Sequence, residues 1–175
     1  MKFNKLWLDE WIDTGLDVET LGERLTMAGL ELDSISTAAA DFSGVVVAEI
    51  ETIAQHPDAD KLRVCVVNDG KDKLQVICGA ANARQGMRVA LARVGAKLPD
   101  GLKIKAAKLR GVESLGMLCS ASELGLSDQS EGIMDLPADA PTGTSLREYL
   151  ELDDQIFEVD LTPNRADCLS VIGIA

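Results

Sequence analysis

The sequence predicts a mainly β protein, a small closed or nearly closed barrel with mixed α and β segments on either side. Three observations carry this. Between Gly44 and Ser120, apolar and β-branched runs recur between glycine and Asn-Asp turn signals, roughly five strands in about 80 residues. Before them, apolar residues fall at helical spacing, and after them Phe157, Val159 and Leu161 alternate with Glu158 and Asp160 as in a strand with one wet face. The 175 residues, 46% hydrophobic, allow one domain or two small ones, with a core that needs no disulfide framework.

The first stretch is helical in pattern. Asn4 is placed to cap a short turn carrying Leu6, Trp7, Leu8 and Trp11. Asp17 is placed to cap a second helix through Val18, Leu21, Leu25 and Ala28, which Gly29 stops. Leu30, Leu32 and Ile35 then predict a short strand before the connector Ser36–Ala40, where a boundary is expected. Strands follow at Val45–Ile53, Leu62–Val67, Leu74–Cys78, Arg88–Ala92, around Lys103–Ala107, and at Gly116–Ser120, with one helical turn allowed over Ser120–Leu124. The region of Pro137, Pro141 and Gly143 reads as an extended loop. After the strand at Phe157–Leu161, Thr162–Asp167 reads as a turn and helix start, and Cys168–Ala175 is apolar with no stop signal, so a longer parent protein is expected.

The net charge of -12 argues against a polyanionic partner, because affinity for phosphate backbones comes mainly from Lys and Arg. Its distribution reverses that. Residues 61–110 hold twelve basic residues against Asp69, Asp72 and Asp100, a net of +9, whereas residues 1–60 and 111–175 are strongly acidic. A solvated lysine-rich surface is the plain alternative. Cys65, Cys78, Cys119 and Cys168 are scattered and His56 stands alone, so no metal-ligand pairing is expected, and free thiols fit a reducing compartment. No run approaches a membrane span and no secretory signal opens the chain, so a cytoplasmic protein is expected.

Two runs are densest in chemistry. In His56-Pro57-Asp58-Ala59-Asp60-Lys61-Leu62-Arg63, the proline turns the chain and Lys61 and Arg63 project from one face of the next strand. In Lys108-Leu109-Arg110-Gly111-Val112-Glu113-Ser114-Leu115-Gly116-Met117-Leu118-Cys119-Ser120, the glycines allow tight turns, Arg110 and Ser114 offer a charge and a hydroxyl, and Met117 an apolar surface for a base. A nucleophilic triad of His56, Cys119 and Asp60, or an acid/base pair of Asp58 and Asp60, is conceivable. A histidine before proline at a strand exit is more often a turn residue, and no catalytic residue is assigned. No Gly-rich phosphate loop is present.

With Gly79-Ala80-Ala81-Asn82 and Gly95-Ala96-Lys97-Leu98-Pro99 between them, these runs resemble the tRNA-binding OB-fold domain of several aminoacyl-tRNA synthetases and their partner proteins, over about residues 42 to 148. The flanking Lys5-Leu6-Trp7-Leu8-Asp9-Glu10-Trp11-Ile12, Leu25–Asp33 and Leu161-Thr162-Pro163-Asn164-Arg165-Ala166-Asp167-Cys168-Leu169 look like the start of the bacterial phenylalanyl-tRNA synthetase β subunit. The resemblance implies a five-stranded OB-fold barrel at residues 41–148, inserted into a small, incomplete α/β domain with halves at 1–40 and 149–175. It implies tRNA as partner, with Lys61, Arg63, Lys105, Lys108 and Arg110 as the binding face and Ser114 and Met117 beside them.

The family's aminoacylation site lies in the α subunit, and its editing, magnesium and anticodon-recognition residues lie beyond residue 175. This chain is therefore expected to be non-catalytic alone and to hold no cofactor. ATP and magnesium belong to the full assembly of two α and two β subunits. A protein docking or dimerisation module and a free-standing tRNA-binding protein are the alternatives. With aromatics at 3%, stacking contributes little and RNA contact is expected to be weak, electrostatic and salt-sensitive.

Overall fold

The computed structural model describes residues 1–129 and 131–175. In chain order its elements are β1 (Lys2–Asn4), α1 (Lys5–Asp9), α2 (Val18–Met27), β2 (Glu31–Thr37), β3 (Ser43–His56), β4 (Ala59–Asn68), β5 (Lys73–Cys78), β6 (Arg88–Lys97), β7 (Ala107–Leu109), β8 (Val112–Ser114), β9 (Gly116–Cys119), β10 (Asp135–Leu136), α3 (Leu146–Tyr149), β11 (Gln155–Asp160) and α4 (Val171–Ile174). The protein is mostly β with few helices. None of the described helices is long and apolar enough to cross a membrane. The chain divides into two compact units, residues 1–39 with 152–175, and residues 40–151.

The first unit is a three-stranded antiparallel sheet in the order β1-β11-β2. Its central strand comes from the end of the chain and both edge strands from the beginning, so residues 1–39 cannot complete a sheet without β11. Phe157 and Val159 are fully buried on β11, and the Phe157 ring stacks on Phe3 at 5.4 Å. Leu21 and Leu25 of α2 cover this face. Asp17 caps α2 by accepting the Thr20 N–H at 2.7 Å, and the helix ends at Gly29, whose φ of +88° suits a left-handed stop. The expected cap of α1 needs correcting. Asn4 occupies the cap position, but its side-chain amide donates to the Asp154 carboxylate, and it is Asp154 that accepts the Leu6 N–H, at 3.2 Å. The acceptor comes from 148 residues away, where no local pattern shows it.

In the second unit the ladder runs β10-β6-β3-β4-β5, with β9 also paired to β6. The 14-residue β3 pairs with β6 through its first half and β4 through its second, bending at a register shift between Ile50 and Thr52. This double duty explains the unbroken Val45-Val46-Val47-Ala48 run, all four buried. Val67, Val76, Val89, Leu91 and Leu118 pack with this run or beside it in the same core. Among the described residues no ladder joins β5 to β9, so the sheet is open there. Individual bonds cross instead from β5 to residues 113–115: Gln75 Nε2 to the Glu113 carbonyl (2.7 Å), Leu115 N–H to the Gln75 carbonyl (2.8 Å) and Ile77 N–H to Ser114 Oγ (3.0 Å).

Two strand expectations shift. The Arg88 run continues to Lys97. Lys103 forms only an isolated bridge, to Lys97, while the strand itself lies further on as β7. Arg110 and Gly111 make a two-residue turn that pairs β7 with β8, which draws the strand toward the turn. The expected loop around Pro137 to Gly143 is flanked by the short β10 and α3.

Candidate nucleic-acid interface

The two chemistry-bearing runs meet at His56. This residue ends β3, is 2% exposed, and turns through Pro57-Asp58 into Ala59 of β4. Its Nδ1 accepts the Asp58 N–H at 3.1 Å, which places the ring proton on Nε2, 3.1 Å from the Leu109 carbonyl. The imidazole thereby joins the first turn to the β7–β8 hairpin 53 positions away. A second tie runs back, the Arg110 guanidinium donating to the Asp58 carbonyl at 3.3 Å. At the tip, Arg110 (φ +46°) and Gly111 (φ +85°) have the left-handed backbone of a type I′ turn. The Gln55 amide lies 3.0 to 3.2 Å from the carbonyls of Ala59, Asp60 and Leu62, fixing the bulged start of β4 that carries Lys61.

This framework presents cations. Lys61, Arg63, Lys105, Lys108 and Arg110 are all exposed. Arg63 stands opposite Cys78 in the antiparallel β4–β5 pair, so it shares the core-side face where the sheet runs out of core. None of these five has an ion-pair partner within 4.0 Å among the described residues, although Glu113 stands opposite Lys108 in register. Other cations of the same basic block are held by carboxylates: Lys73 by Glu51 (2.7 Å), Arg84 by Asp135 (2.8 Å), Arg93 by Asp69 (2.6 Å), and Arg88 by Glu49. The +9 block is thus divided into paired structural cations and unpaired ones, and the residues expected for binding are of the second kind.

Ser114, expected beside the binding face, lies inside the fold. It is 4% exposed, and its hydroxyl accepts from Ile77 N–H and donates to the Gly116 carbonyl, both at 3.0 Å, so it fastens β8 to β5. Met117 is half-buried on β9 and lines an open cleft of about 420 Å³ with Ile77, Cys78, Gly79 and Ile133. Sequence reading missed Gln55 and the linking role of His56. The histidine of the first run was the available signal, but its partner is set by tertiary pairing.

The conceivable triad does not assemble. Both His56 ring nitrogens are taken by backbone groups. Cys119 is fully buried, and burial pushes its thiol up to about 12, as it pushes Cys65 up to about 11, leaving no thiolate nucleophile near neutrality. No cluster of three or more metal-ligating side chains occurs among the described residues. What this arrangement can do chemically is hold an anion or polyanion by charge. Truncating His56 to alanine removes both of these bonds and leaves the Asp58 N–H without its acceptor, with an expected cost of about 1–3 kcal/mol. Urea unfolding should show this as a lower midpoint at unchanged slope.

Residues 45–145 match the family described as "Putative tRNA binding domain". The chain belongs to this tRNA-binding-domain family. Beyond the matched residues, the whole chain is 59% identical over 176 aligned residues to the phenylalanine–tRNA ligase β subunits of Legionella pneumophila strain Paris and of Pectobacterium atrosepticum. The resemblance read from the motifs is therefore borne out along this tRNA-binding-domain chain. It spans 22% of the length of those curated relatives. Among solved structures it is similar to a MetRS-related protein from Pyrococcus horikoshii, at TM-score 0.42 and 20% identity, over 57% of this chain and 84% of that one.

Proposed function

We propose that this chain is the tRNA-binding, non-catalytic N-terminal portion of a phenylalanyl-tRNA synthetase β subunit, working in the cytoplasm. The observation that carries the reading is the set of exposed, unpaired cations on the elements that bear the family motifs. Lys61, Arg63, Lys105, Lys108 and Arg110 contact RNA phosphates, with Met117 beside them and Ser114 positioning β8. Recognition is by charge and shape. The second unit's aromatics support this, since Phe42 is 2% exposed beneath the Arg147 guanidinium and Tyr149 is half-buried, leaving no platform for base stacking.

The finer architecture belongs to the same proposal. Residues 41–148 form a five-stranded OB-type barrel whose open side is drawn together by the Gln75, Leu115 and Ile77 bonds, and it interrupts an α/β domain built from 1–40 and 149–175. The complete assembly, two α and two β subunits, joins phenylalanine to its tRNA using ATP and magnesium at sites outside this chain. A docking role has support in the first unit, where Trp7, Trp11, Leu169 and Ile172 are 48%, 54%, 68% and 59% exposed. This surface suits protein contacts with the rest of the assembly. Anisotropy titration with labelled tRNA, alongside a pyrophosphate-exchange assay of the purified chain, tests the reading. Saturable binding at low salt without exchange is expected, whereas absent binding or measurable exchange would overturn it.

A further inference from the structure

A second cationic element lies on the hairpin that follows β6. Leu98 N–H bonds the Leu102 carbonyl (2.9 Å), Gly95 N–H the Ile104 carbonyl (2.8 Å) and Ile104 N–H the Ala96 carbonyl (2.9 Å), which brings Lys97 directly opposite Lys103 as an antiparallel bridge. Ala96, Leu98 and Ile104 are buried beneath, and alternation turns Lys97, Lys103 and Lys105 outward, where all three are exposed. Opposed like charges in such a pair destabilise the folded chain. Relief is absent locally. Asp100, the acid in the intervening turn, uses its carboxylate to accept the Leu102 N–H, and neither lysine has a carboxylate within 4.0 Å among the described residues.

A protein with 29 acidic residues matches Lys73, Arg88 and Arg93 of neighbouring strands to carboxylates yet leaves this pair facing itself. The repulsion is relieved when an anion sits between the two ammonium groups. We infer that Lys97 and Lys103 form a phosphate-binding pair that extends the RNA contact beyond the motif-bearing face. This rests on the RNA-binding reading and adds two residues to which the resemblance assigned no RNA contact. The two steps from Lys103 to Lys105 reach at most about 7 Å and keep both lysines on the outward side, so the pair adjoins a cation already assigned to the face.

The pair is assigned to binding at the expense of stability, so one substitution should move the two in opposite directions. Lys103→Glu replaces repulsion by attraction to Lys97. Its melting temperature is expected to rise by about 1–4 °C. Its affinity for unfractionated tRNA at low salt should fall about tenfold, with the salt slope shallower by about one. Lys103→Gln, which removes repulsion without creating a pair, should fall between in both readouts. Wild-type tRNA affinity in both variants would overturn the pair's assignment while leaving the main face intact. Failure of the wild-type chain to bind tRNA would overturn both. Retained tRNA affinity with lost binding to polyglutamate would give the pair to an acidic protein surface and overturn the RNA assignment.

Discussion

Replacing Lys105 and Arg110 together by glutamate is expected to abolish tRNA binding at low salt, a loss of at least about 100-fold in anisotropy titrations. Each substitution removes a cation that has no carboxylate partner among the described residues and puts an anion in its place. Each lost phosphate contact also flattens the salt dependence by nearly one unit of slope. Arg110 offers a sharper variant. A non-glycine residue at φ +46° carries left-handed strain of roughly 1–2 kcal/mol, which glycine would not. The sequence keeps arginine at the hairpin tip despite that strain. Arg110→Gly should therefore leave folding neutral or improved, apart from the lost bond to the Asp58 carbonyl, and still weaken tRNA binding. Undiminished binding by the double variant would place the face elsewhere.

The largest stability effect is expected at Asp69. Its side chain is 5% exposed; one oxygen accepts the N–H groups of Lys71 (2.9 Å) and Asp72 (2.7 Å), and the other accepts from Arg93 Nε at 2.6 Å. Arg93 also bonds the Asp69 carbonyl at 2.9 Å, locking the turn after β4 to β6. Burial on its own would raise the Asp69 carboxyl, but these N–H donors and the guanidinium outweigh it and hold the group below its ordinary 3.8. Because the folded value is depressed, the stabilisation is present above the unfolded value and is lost as pH falls through the folded one. Arg93→Ala leaves a buried, half-satisfied charge and should cost about 3–5 kcal/mol at neutral pH. Urea unfolding at neutral pH and near pH 3 checks this. The cost should shrink at the acid end, where the stranded carboxylate of the variant takes up a proton.

Much of the second unit was legible in its pattern because its strands bury alternating or continuous apolar runs between turn residues. The β3, β5 and β9 segments follow directly from Val45–Ile53, Leu74–Cys78 and Gly116–Ser120. The β7–β8 hairpin was hidden because all three residues of β7 are exposed, so hydrophobic alternation has nothing to report there. Its existence depends on the Arg110-Gly111 turn and on bonds to His56 and Gln75, which are tertiary. The same limit explains α1, where a local asparagine was the evident cap and a distant aspartate supplies the acceptor.

The candidate site divides in the same way. Its cations stood out by charge partition and motif, yet the sequence could not say which of the twelve basic residues were neutralised by partners across the sheet, because pairing follows register. The burial of Ser114 was hidden for a related reason. A serine two residues before a glycine reads as an available hydroxyl until β5 closes over it. Lys97 and Lys103 are six positions apart, and nothing in that spacing shows them face to face.

The most direct measurement is the salt dependence of tRNA binding by the wild-type chain, followed by anisotropy from about 20 to 200 mM monovalent salt. With about five phosphate contacts from Lys61, Arg63, Lys105, Lys108 and Arg110, and up to two more from Lys97 and Lys103, the logarithm of the affinity should fall linearly with the logarithm of salt at a slope of about -4 to -6. No binding at the lowest salt, or binding whose strength is indifferent to salt, would contradict an interface made of unpaired cations.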